Sequence, residues 1–210
     1  MIYKFQIKVE QKVINCRAFT FGEFQSLIEA KTDGRLAEAI YNVIRDCTDI
    51  DVSELPRHTA ELIFLKVWIH SLNRVNIDHV WVCGECGAET PVTLNIDSAY
   101  TTSPDTDLFY DLGQVKMKFR YPRIFEDDDL MQMIITCTEY IVIGNDQYTL
   151  DDLDETDFDK VLTMINDTAV TEIIDMLLAP SVVLAVPIKC SCGESGVHKV
   201  VGLHEFFKLL

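Results

Sequence analysis

Residues 75–96 read VNIDHVWVCGECGAETPVTLNI. Val75, Ile77, Val80 and Val82 alternate on the approach to Cys83, and Val92, Leu94 and Ile96 alternate on the departure from Cys86. A period of two on both sides predicts a hairpin with cysteines at its turn. Residues 182–203, VVLAVPIKCSCGESGVHKVVGL, follow the same plan around Cys190 and Cys192. Glycines at both turns relieve crowding and leave backbone N–H groups free for thiolates. Four soft sulfur ligands are what a closed tetrahedral zinc site requires, so Cys83, Cys86, Cys190 and Cys192 are the candidate ligands of a structural Zn²⁺. Since 103 residues separate Cys86 from Cys190, tertiary folding must bring the half-sites together. Closing such a connection costs about 4–5 kcal/mol in an idealised chain, against about 10–16 kcal/mol for structural zinc, so the metal can win.

Two other readings of these turns stand beside zinc. They could be packed turns without metal, or a cysteine-dependent redox centre. Redox chemistry wants an exposed cysteine of low pKa, usually at a helix N-terminus, whereas CGEC lies between strand-like runs and Glu85 opposes a neighbouring thiolate. His79 and His198 flank the turns and could ligate, but four cysteines already fill the coordination shell, so both are read as non-ligands.

Working outward, the expected class is α+β: mixed helices and antiparallel strands, with the zinc site joining the two cysteine-bearing hairpins. Section 1–74 begins with two alternating strands. Thr20 and Glu23 then stand at capping-box spacing before the stripe Phe21, Phe24, Leu27, Ile28. A second stripe runs from Leu36 to Ile44, and a third, residues 60–72, is apolar enough to be the central core helix. Section 75–122 holds the first hairpin, a loop at 97–108, and a strand at Val115, Met117 and Phe119 that ends near Pro122. Section 123–180 opens acidic and becomes helical around Phe158, Val161, Leu162 and Ile165, then around Ile173, Ile174, Leu177 and Leu178. Section 181–210 carries the second hairpin and a tail in which Phe206, Phe207, Leu209 and Leu210 form an apolar stripe. The four sections are read as one composite globular domain, with no internal repeat.

The 210 residues include 18 Lys and Arg against 34 Asp and Glu, a formal charge of −16. Such a balance opposes direct binding to nucleic acid or an anionic membrane. No apolar run is long enough to span a bilayer and the N-terminus has no secretory pattern, which makes a soluble intracellular protein the expectation. Seven cysteines with four in close pairs fit metal binding in a reducing compartment better than a disulfide framework. Residues 126–159 contain 12 acidic side chains and no Lys or Arg. Asp127, Asp128, Asp129, Asp151, Asp152, Asp154 and Glu155 therefore form a candidate acidic interaction surface for a basic partner. No phosphate loop, dinucleotide fingerprint or zinc-protease motif is present, and no catalytic residue is assigned.

The segments CRAFTFGEFQSLIEAK (16–31), AIYNVIRDC (39–47), LPRHTAELIFLKVWIHSLNRVNIDHVWVCGECG (55–87) and VKMKFRYP (115–122) together resemble the T4-type bacteriophage baseplate hub assembly protein family. KCSCG and VGLHEFF further along are compatible with it. The resemblance implies noncatalytic work in building a contractile tail, as an assembly chaperone or a structural component. It implies bacteriophage baseplate or hub proteins as partners in a hetero-oligomer, and the infected host cytoplasm as the place. Phe19, Phe21, Phe24, Tyr121, Phe206 and Phe207 are the candidate partner contacts, since aromatic side chains supply much of the affinity of protein interfaces; packing within the chain's own core is the favoured alternative for Phe19, Phe21, Phe24, Phe206 and Phe207.

Overall fold

The computed structural model describes residues 2–102 and 107–209, except the side chains of Lys31 and Leu162. Expectations for Leu162, Leu210 and residues 103–106 of the loop lie outside the described residues. The elements run β1 (Lys4–Val9), β2 (Lys12–Arg17), α1 (Phe21–Thr32), α2 (Leu36–Cys47), α3 (Arg57–Ser71), β3 (Asn76–Val82), β4 (Glu89–Asn95) and β5 (Tyr100–Thr101). They continue as β6 (Phe109–Asp111), β7 (Val115–Phe119), α4 (Leu130–Cys137), β8 (Thr138–Ile143), β9 (Asp146–Tyr148), α5 (Glu155–Met164), α6 (Asp167–Leu178), β10 (Val182–Lys189), β11 (Ser195–Val201) and α7 (Leu203–Leu209). The mixture of helices with antiparallel strands is the α+β class expected. No described helix is long and apolar enough to cross a membrane.

The chain forms two compact units: residues 1–102 with 181–210, and residues 103–180 between them. The first boundary falls inside the 75–122 section. The chain leaves the first unit at Thr102 and re-enters it at Ser181, and these residues are tied together. The Thr102 N–H donates to the Ser181 carbonyl at 2.9 Å, and the Ser181 N–H donates to Thr102 Oγ1 at 3.0 Å.

In the first unit α3 is the central helix, as its sequence predicts. Its residues from Leu62 to Ile69 are all buried, because the segment is apolar on nearly every face. Even Lys66 is 5% exposed. Its ammonium group donates to the backbone carbonyl of Asp97 and, at 3.1 Å, to the Asp97 carboxylate, which His70 Nε2 also meets at 3.2 Å. Burial would raise the Asp97 carboxyl, but Lys66 and His70 beside it together outweigh burial and hold it below the ordinary range. Asp97 lies two residues beyond the end of β4, so this pair ties the base of the β3–β4 hairpin to the core helix.

In the second unit a four-stranded antiparallel sheet of order β6-β7-β8-β9 presents Val115, Met117, Phe119 and Ile141 to Met133 and Ile134 of α4, Val161 of α5, and Ile173 and Leu177 of α6. The short strands β5, β6 and β9 were not expected, since two or three residues carry no measurable period. α4 starts at Leu130 with the acidic run at its N-terminal end, where the Asp129 carboxylate accepts the N–H groups of Met131 and Gln132, both at 3.0 Å.

Both units contain the same clasp. Arg17 ends β2 and grips Glu23 six residues on through both guanidinium nitrogens, at 2.9 and 2.6 Å, while also donating to the Ala18 carbonyl. Arg120 does the same to Glu126, at 2.7 and 2.9 Å, and donates to the Tyr121 carbonyl. Each Glu accepts the N–H three residues before it, from Thr20 or Arg123. The following helical segment ends at Cys47 or Cys137, and the next residue, Thr48 or Thr138, pairs with the residue before the arginine.

Candidate metal centre

Each half-site is a turn between two paired strands. β3 pairs with β4 from Asn76↔Asn95 to Val82↔Glu89, which leaves residues 83–88 as the connection. The Cys83 N–H donates to the Ala88 carbonyl at 3.0 Å and the Gly87 N–H to the Cys83 carbonyl at 2.9 Å. Gly87 takes φ +70°, a left-handed conformation that a side chain would strain. β10 pairs with β11 down to Lys189↔Ser195. There the Cys190 N–H donates to the Glu194 carbonyl at 2.8 Å, the Gly193 N–H donates to the Cys190 carbonyl at 3.0 Å, and Gly193 sits at φ +97°. The two turns are the same device built on C-x-x-C and C-x-C spacings.

The hairpins meet so that the sulfurs of Cys83, Cys86, Cys190 and Cys192 all lie within 4.8 Å of one another. Cys83 Sγ is 3.9 Å from Cys192 Sγ, and Cys86 Sγ is 3.6 Å from Cys190 Sγ. A disulfide needs about 2.05 Å. A zinc tetrahedron with Zn–S bonds of about 2.3 Å has edges of about 3.8 Å, close to these two separations. Cys83 and Cys190 are buried while Cys86 and Cys192 are exposed, so the cluster sits at the surface with one sulfur of each turn facing inward.

Backbone N–H groups are already aimed at the sulfurs. Ala88 donates to Cys86, Cys192 to Cys190, and Glu194 to Cys192. The Cys192 N–H, helped by thiol donors around it, lowers the Cys190 pKa to about 6. At Cys192 the Glu194 N–H also favours the thiolate, but the neighbouring sulfurs and desolvation prevail and push it up to about 12. Four sulfurs this close cannot all ionise by themselves; a divalent cation is the charge that lets them. The remaining cysteines differ. Desolvation first of all pushes Cys16 up to about 12, and Cys47 and Cys137 to about 11, which makes them inert core thiols.

Two contacts between the hairpins escaped sequence reasoning. A Cβ built on Gly196 in β11 would lie 2.8 Å from Trp81 Cζ2, so the indole of β3 rests directly on the glycine backbone. A lone glycine inside a strand pattern was the available signal of such an approach. The ring centroids of His79 and His198 lie 4.6 Å apart with the planes tilted by 33°, and His198 Nε2 is buried without a hydrogen-bond partner among the described residues. Burial, followed by the charge of His79, lowers the His198 pKa. Neither histidine belongs to the sulfur cluster.

The other candidate residues are scattered. Phe19, Phe24, Phe64 and Phe207 surround Trp68 with ring centroids 5.3–6.0 Å away. Phe19, Phe24, Phe207 and Tyr121 are half-buried. Phe206 is 0% exposed, which corrects its reading as a partner contact: the first turn of α7 turns this face inward and the ring fills the core. Phe21, 81% exposed at the start of α1, stands in solvent. In the acidic surface, Asp127 is half-buried, while Asp128, Asp129, Asp151, Asp152, Asp154 and Glu155 are exposed. Asp129, Asp152 and Asp154 also accept local hydrogen bonds that shape their turns.

An α+β chain carrying a surface cluster of four cysteines has, at this point, a donor set that could hold a metal ion. Comparison with known proteins adds its lineage. The model of the T4 bacteriophage base plate protein family matches residues 1–208, and the chain belongs to that family. It is 42% identical over 209 residues to "Baseplate hub assembly protein gp26" of Enterobacteria phage T4, covering 99% of each chain. No solved structure matches it.

Proposed function

We propose that this chain serves the assembly of a contractile-tail baseplate hub without catalysis, by contacts with other baseplate or hub proteins, in the cytoplasm of the infected host. The observation that carries this reading is identity over nearly the full length of both chains to a protein named for hub assembly. A structural Zn²⁺ held by Cys83, Cys86, Cys190 and Cys192 is the second part of the proposal, supported by sulfur spacings close to a tetrahedral edge. When bound, zinc supplies a cross-link between two hairpins far apart in sequence. The chain supplies the N–H donors that stabilise the thiolates, and Trp81 on Gly196 fixes how the hairpins meet. The acidic side chains of the second unit offer a basic partner steering; exposed Phe21 of the first unit is a separate apolar anchor.

The test is native mass measurement of the chain captured with baseplate proteins, before and after zinc removal. The expected result is a hetero-oligomer that contains zinc and weakens on chelation. A folded chain that captures no tail protein would overturn the assembly reading. Presence at fixed stoichiometry in mature particles identifies a structural component, and confinement to immature assemblies identifies a chaperone.

A further inference from the structure

The second unit holds an apolar cavity of about 160 Å³ that opens to solvent. Met117, Ile134 and Val161 form its buried floor, Phe158 of α5 and Ile165 just beyond it one wall, and Met131 of α4 its lip, 52% exposed. A cavity of about 150 Å³ lined by such side chains accommodates a group the size of benzene. This one therefore fits a single bulky apolar side chain.

The setting of the cavity specifies what carries that side chain. Asp129 caps the helix that bears Met131, Asp151 and Asp152 follow the lining residue Leu150, and Asp157 and Asp159 flank Phe158. Lys160 stands beside them but is already paired with Asp157 at 2.5 Å. Residues 126–159, which carry Met131, Ile134, Ile135, Thr138, Leu150 and Phe158 of the lining, hold 12 acidic side chains and no Lys or Arg, so an apolar group entering on a basic segment would gain an attraction that a neutral or acidic segment would not.

The geometry points to a docking site on the second unit for a basic segment of another tail protein, which inserts one bulky apolar side chain between α4 and α5. This deepens the assembly reading and rests on it. The test places photoreactive benzoylphenylalanine at Met131 of the full chain in cells assembling the tail, and the cross-linked peptides are sequenced. The expected adduct lies in a Lys- or Arg-rich segment of another tail protein. Met131→Glu, or Asp151→Lys with Asp159→Lys, should lower recovery of that protein about tenfold while thermal unfolding stays unchanged. An adduct on an acidic segment or on a second copy of this chain, or full recovery with Met131→Glu, overturns the docking site alone. A wild-type chain that recovers no tail protein overturns the assembly reading beneath it.

Discussion

A methyl group at position 196 would have to displace the Trp81 ring, because the built Cβ lies 2.8 Å from Cζ2. Gly196→Ala should therefore cost about 1–3 kcal/mol, read by denaturant unfolding, and Trp81→Leu in the same chain should recover part of the loss. Substituting a ligand acts differently. Cys190→Ser removes the sulfur that carries the most readily formed thiolate, so bound zinc measured by elemental analysis should fall from one per chain towards zero. Cys137→Ser should leave metal content unchanged, since Cys137 is a buried thiol in the second unit.

At the scale of elements, the Arg–Glu clasp sets how a strand turns into a helix in both units. Arg17 first, then the Thr20 N–H and hydroxyl, hold Glu23 at about 2 against the desolvation that would raise it. A depressed carboxylate stabilises the fold fully above its unfolded pKa of about 4.5, and that contribution is lost as pH falls towards 2. His58, buried and lowered from 6.5 to about 4, acts in the same acid direction over a higher window, because the unfolded chain takes up its proton first. Unfolding titrations should thus show stability declining below pH 6.5 and again below 4.5. Arg17→Lys, which loses the two-pronged grip, should cost about 1–3 kcal/mol at neutral pH and flatten the lower step. The capping box of Thr20 and Glu23 was legible, because its signal lies within three residues. The clasp was not: RAFTFGE and RYPRIFE share little except their ends, and the pairing depends on a turn that spacing does not reveal.

For the whole molecule, the first unit closes around residues from both ends of the chain, and the second is inserted at the Thr102–Ser181 stem. Paired cysteines inside alternating strands made each half of the metal site readable. Their meeting depends on packing between hairpins through Trp81, Gly196 and the histidine pair, which no local pattern encodes. The apolar cavity was equally hidden, since its lining comes from β7, α4, α5 and the Leu150 turn. Chelation should raise hydrogen exchange in β3, β4, β10 and β11 of the first unit and leave β7 and β8 of the second protected, because the cross-link lies wholly within the first. The most direct measurement is X-ray absorption at the zinc edge on the chain purified without added metal. The structure predicts one zinc per chain with four sulfur neighbours at about 2.3 Å. A folded chain with no bound metal, in which the same four cysteines remain close together, would contradict it.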